Sequence, residues 1–124
     1  MTHCRDCDNL AGVLIRNVIL DWSGTLVDDL MPVVRTTNHV LETYGLPHVS
    51  VDEFRREFSL PIRKFYERRL PHVAQAELER VFLGKYVEHQ EAIGLLAHTL
   101  EFLKFCRRQQ MGVFIASTVD ARTY

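Results

Sequence analysis

The chain has 124 residues, 47% hydrophobic and 25% charged, with a formal net charge of −1. That length suits one domain with a modest core, and the charge balance excludes a strongly basic nucleic-acid binder. No apolar run approaches the roughly 18 residues of a membrane span, so neither nucleic acid nor a membrane is expected as a partner.

Residues 1–15 read as an N-terminal extension, with too many charged residues for a secretory signal. Cys4-x-x-Cys7, flanked by His3 and Asp6, has the form of half a zinc site. Structural zinc takes four ligands, and no second pair at matching spacing follows. With Cys106, the cysteines are an odd, sparse set. Such usage fits a reducing compartment, and a cytoplasmic location is expected.

Residues 17–21 are a short apolar run closed by a Gly-containing turn, which predicts a buried strand. From Leu30 the period changes. Leu30, Val33, Val34, Thr37, Val40, Leu41 and Tyr44 recur at three and four, one face of a helix. Pro32 fits its first turn, and Gly45 with Pro47 ends it. Ser50-x-x-Glu53 is a capping box that opens a second helix over about 51–58. Pro61 starts a third, which Pro71 stops after Leu70. Residues 74–90 predict a fourth with Leu78, Val81, Phe82 and Tyr86 inward. After Gly94, a helix over 97–109 is expected to bury Leu100, Leu103 and Cys106. The run "MGVFIAST" (111–118) then predicts a second buried strand ending in a hydroxyl pair.

This order predicts an α/β protein with two parallel strands joined by the crossover helix at 97–109. The helices between 30 and 92 exceed what a crossover requires and read as an inserted helical domain. The expected partition is a core of 16–29 with 97–124 and a helical unit of 30–96.

The stretch "VILDWSGTLVDD" (18–29) carries the chemistry. Asp21 stands at the carboxyl tip of its strand, where parallel α/β sheets bind ligands. A carboxylate there can act as a nucleophile when a metal and nearby cations hold it ionised. The turn Ser23-Gly24-Thr25 offers backbone N–H groups to phosphate oxygens. Taken alone, such an Asp is as readily a turn-former or helix cap.

The same stretch resembles the first motif of the haloacid dehalogenase-like hydrolases, an apolar strand followed by Asp-x-Asp-Gly-Thr-x-x-Asp. Asp21, Gly24, Thr25, Leu26 and Asp28 match it. "VFIAST" is similar to the second motif, an apolar strand ending in Ser or Thr, here Ser117 or Thr118. The intervening helices look like the family's helical cap, as in phosphoglycolate phosphatases and β-phosphoglucomutases. The resemblance implies a Rossmann-type parallel-sheet core and a Mg²⁺-dependent phosphatase acting on a small anionic organic phosphate. Asp21 would attack phosphorus to form an aspartyl-phosphate. Mg²⁺ would be held by the Asp21 carboxylate and the Ser23 backbone carbonyl, and Ser117 would bond a phosphoryl oxygen. Homo-oligomerisation is left open.

Two departures qualify the resemblance. Family phosphatases place a second Asp two residues after the nucleophile as general acid, where this chain has Ser23. A hydroxyl cannot replace a carboxylic acid in that role, whose contribution is about 10²–10⁴ in rate. "DWSGTLVD" is also similar to phosphonoacetaldehyde hydrolases, which use a cap lysine as a Schiff base, and Lys64 is the candidate here. The family's third motif, a lysine, and its fourth, an acidic pair, find no match. "VDARTY" (119–124) reads as the start of a helix, so the chain is expected to be the N-terminal portion of a longer protein. The alternative to an enzyme is a catalytically inactive module with a binding or assembly role.

Residues 55–69 hold Arg55, Arg56, Arg63, Lys64, Arg68 and Arg69 against only Glu57 and Glu67. Such a cluster would attract an anionic substrate, with Arg63 and Lys64 expected to face the crevice. The alternative is a solvated helix face. The histidines lack ligand-like spacing and are expected at the surface.

Overall fold

The computed structural model describes residues 14–118. Strand β1 (Asn17–Leu20) and a two-residue strand β2 (Val27–Asp28) lead into helix α1 (Leu30–Thr43). Helices α2 (Val51–Glu57), α3 (Arg63–Arg69) and α4 (Gln75–Tyr86) follow, the last running on as a 3₁₀ segment (Val87–Ala92). Strand β3 (Gly94–Leu95), helix α5 (Thr99–Arg108) and strand β4 (Gly112–Ile115) complete the order. The Cys4/Cys7 pair and the segment 119–124 lie outside the described residues.

β1 and β4 pair in parallel, from Asn17 opposite Gly112 to Leu20 opposite Ile115. The predicted crossover through α5 is therefore present. A second, antiparallel ladder pairs Val27 with Leu95 and Asp28 with Gly94. Its strands, two residues each, are too short to leave an alternating pattern in the sequence.

The helical unit makes its own core. Val34, Val40, Leu41, Phe54, Phe65, Tyr66, Leu70 and Leu78 form one buried cluster drawn from α1 to α4. Phe65 sits at its centre, 5.8 Å from the Phe54 ring and edge-on to Tyr66 at 5.4 Å. The Arg69 guanidinium lies 4.1 Å from the Phe65 ring centroid and pairs with Glu57, so its charge is held by a cation–π contact and a carboxylate.

The predicted punctuation explains these helices. Gly45 takes φ +73° after α1, where an L side chain would be strained, and lets Leu46 N–H donate to Leu41 O at 2.9 Å. At α2 the capping box closes in both directions. Glu53 N–H donates to Ser50 Oγ at 3.2 Å, and Ser50 N–H donates to Glu53 Oε2 at 2.8 Å.

Two burial expectations are corrected. Leu100 is exposed and Leu103 only half-buried, while Thr99 and Cys106 form the buried side of α5. The strands are not buried either: Ile19, Phe114 and Ile115 are 72%, 56% and 54% exposed. The physical reason is shared. Among the described residues the strands of this sheet pair only with each other, and while Val18 and Leu20 are half-buried, the side of β1 that carries Ile19 is left open.

Candidate active site

Asp21 follows the last residue of β1, and its side chain is exposed at the strand tip. The chain then turns sharply. Thr25, Leu26 and Val27 N–H all converge on the Trp22 carbonyl, at 3.3, 2.9 and 3.2 Å, and Gly24 N–H donates to Val27 O at 3.0 Å. Gly24 has φ +68°, a conformation that favours glycine. These bonds correct the expectation of an open amide cradle: the turn itself uses the Gly24 and Thr25 N–H groups. Ser23 N–H takes no part in them.

Two anchors fix this turn. Leu26 O accepts from Leu96 N–H at 3.0 Å and from Thr99 Oγ1 at 3.1 Å, tying the turn to the start of α5. On the other side Ser23 Oγ donates to Asp29 Oδ2 at 2.5 Å. Asp29 is buried, and although it precedes α1 its side chain makes no helix-capping bond. Its carboxylate serves the turn instead.

Above the strand tips opens a cavity of about 670 Å³. Asp21, Ser23, Gly24 and Asp29 line it from the first turn, and Ser117 and Thr118 from the end of β4. The parallel register explains this meeting, because β1 and β4 end together. Arg55 of α2 and Arg63 of α3 also line it, and Arg63 is bonded to Glu67 at 2.8 Å. The rest of the wall is mostly apolar and comes from α1, α2, α4 and the α2–α3 connection. Tyr66 lines it too. Its hydroxyl lies buried near Thr37 without a hydrogen bond of good geometry, and burial pushes its pKa up to about 12.

Lys64 and Thr25 do not line the cavity. Lys64 follows Arg63 by one residue, which on a helix turns it to another side. Of the other cations in the basic stretch, Arg68 donates to Glu57 O at 2.9 Å and Arg69 pairs with Glu57. Asp28, the residue that matches the motif, is exposed in the β2–β3 ladder. Sequence reasoning missed Asp29, and it named Arg55 in the basic cluster without placing it at the crevice. The acidic doublet at 28–29 was the one signal for Asp29, and it does not say which acid turns inward.

Asp21 carboxylate and Ser23 carbonyl are hard oxygen donors of the kind Mg²⁺ prefers. Among the described residues no group of three or more His, Cys, Asp or Glu is clustered to hold a metal. The donor set present fits a Mg²⁺ ion that keeps most of its water.

Fold and site together define an α/β protein whose ligand crevice opens between parallel strand tips and a helical unit. The sequence matches the model of the family described as Haloacid dehalogenase-like hydrolase over residues 18–124. The chain belongs to that family of hydrolases. Its fold is similar to that of a predicted phosphoglycolate phosphatase from Haemophilus somnus, with TM-score 0.74 and 17% identity, over 90% of this chain and 55% of that one. CbbY from Rhodobacter sphaeroides, solved in complex with phosphate, gives TM-score 0.72 and 18% identity over 89% of this chain and 54% of the other. A family hydrolase from Deinococcus radiodurans, with bound phosphate and sodium, gives 0.59 and 17% over 88% and 49%. At these identities the likeness is one of fold. The chain spans about half the length of these structures. No curated protein matches the sequence.

Proposed function

We propose that this chain supplies the nucleophile half of a Mg²⁺-dependent phosphatase that acts on a small organic phosphate. The observation that carries the reading is the convergence of Asp21, Ser117 and Thr118 at one end of the cavity. Asp21 attacks phosphorus, the bond from phosphorus to the ester oxygen breaks, and an aspartyl-phosphate forms. Water then attacks that phosphorus, releasing phosphate and restoring the carboxylate. The Ser117 hydroxyl, with Thr118 beside it, donates to a phosphoryl oxygen, and Arg55 and Arg63 draw the anion in. Asp21 and the Ser23 carbonyl would hold Mg²⁺, which when bound offsets the charge on the phosphoryl group. The helical unit, residues 30–96, acts as a cap over a core of 16–29 and 97–124. Phosphate bound in two fold relatives supports a phosphorylated ligand.

Ser23 favours a second reading, a module that binds phosphate without turning it over, because its hydroxyl cannot protonate a leaving group. Acid quenching of the protein after incubation with Mg²⁺ and p-nitrophenyl phosphate separates the two. A phosphoryl adduct on the peptide containing Asp21, absent from Asp21→Asn, is the expected result. Undiminished turnover by Asp21→Asn overturns the nucleophile assignment, and phosphate binding without an adduct selects the silent module.

A further inference from the structure

We infer that the ligand of this site is a phosphomonoester with an apolar, aromatic body, and not a short phospho-acid carrying a second negative charge. The inference rests on the phosphatase reading and specifies its substrate class.

Volume gives the first reason. At about 670 Å³ the chamber falls in the range that encloses drug-sized ligands. A two-carbon phosphate would leave most of it to water. The walls give the second. Phe54 and Phe58 on one side chain pair have ring centroids 5.0 Å apart, and Phe82 and Tyr86 of α4 stack at 5.6 Å; all four rings line the chamber. Aromatic walls of this kind favour a flat apolar body in offset or edge-on contact.

Charge is the third reason. Arg55 and Arg63 are the cations among the lining residues, and Arg63 already pairs with Glu67. Asp21, Asp29 and Glu79 line the same space. With Mg²⁺ on Asp21 and the Ser23 hydroxyl on Asp29, the phosphate takes Arg55, the one guanidinium among the lining residues not paired with Glu67, and a ligand carboxylate is left without a cation of its own. Chemistry at the turn agrees. With Ser23 where an acid would stand, a leaving group that needs little protonation is favoured, and aryl oxides are such groups.

The experiment is calorimetric titration of the 124-residue protein in Mg²⁺ with 2-naphthyl phosphate, 2-phosphoglycolate, inorganic phosphate and 2-naphthol. The naphthyl ester should bind about tenfold or more tightly than phosphoglycolate, a difference of about 1.4 kcal/mol or more. Leu60 and Leu83 line the chamber yet are 61% and 40% exposed, so they can be changed without opening the core. Leu60→Asn with Leu83→Gln should reduce the naphthyl preference about threefold or more and leave inorganic phosphate binding as it was. Equal binding of the two esters, or tighter binding of phosphoglycolate, overturns the inference while the phosphatase reading stands. Binding of 2-naphthol with no binding of any phosphate overturns both.

Discussion

The helical unit and the strand pair both carry apolar sequence, yet they bury it to different extents. Val40, Leu41 and Phe65 are fully buried within the helices, whereas Ile19, Phe114 and Ile115 remain more than half exposed on the strands. The contrast is topological. Four helices separated by short connections, all between Leu30 and Tyr86, can turn their apolar stripes toward one another. A parallel sheet needs strands from distant parts of a chain on both edges and covering layers on both faces. The helices thus bury their own apolar surface, whereas among the described residues the strands leave much of theirs open.

Truncation at the centre of each region is the strongest way to break this comparison. Phe65→Ala should cost about 3–5 kcal/mol, a large share of the roughly 5–15 kcal/mol that stabilises a whole domain. Ile115→Ala should stay within about 0.5 kcal/mol. Urea denaturation followed by circular dichroism measures both, and comparable losses would remove the distinction. Hydrogen exchange sharpens it, with strong protection expected in α1 and weak protection in β4.

A smaller effect is expected where the regions join. Ser23→Ala withdraws a hydroxyl donor from the buried Asp29 carboxylate, and should cost about 1–3 kcal/mol. If the melt is unchanged, water replaces the hydroxyl and the turn is held by its backbone bonds alone.

The smallest effect belongs to the start of α2. Ser50→Ala removes the capping oxygen and should cost about 1 kcal/mol. It should also change the acid limb of the stability profile. The pKa of Glu53 is lowered from 4.5, first because its carboxylate accepts from the Ser50 backbone N–H and then from the Ser50 hydroxyl contact. A lowered folded-state value adds stability above the unfolded pKa, and that stability is lost as pH falls through the folded value. The native chain should thus lose part of its stability below about pH 4.5, and Ser50→Ala should lose less there. Parallel acid limbs in the two proteins would show that the box contributes nothing to the pH dependence.

Much of this molecule was legible without coordinates because its signals are local. Apolar spacing of three and four fixed α1 and α4, the Ser50–Glu53 box opened α2, and the run ending at Asp21 located β1 and the strand-tip carboxylate. Each depends on residues within a turn or two of one another, so the chain states it directly. What faces what across the fold is a different matter. Local pattern could not choose Arg55 and Arg63 over Lys64, or Asp29 over Asp28, as cavity residues. Nor could it show that Gly24 and Thr25 N–H close the turn on the Trp22–Val27 segment, or that Leu100 would lie exposed. A helix or turn declares which of its residues share a side. Only its packing against elements far away in sequence decides where that side points.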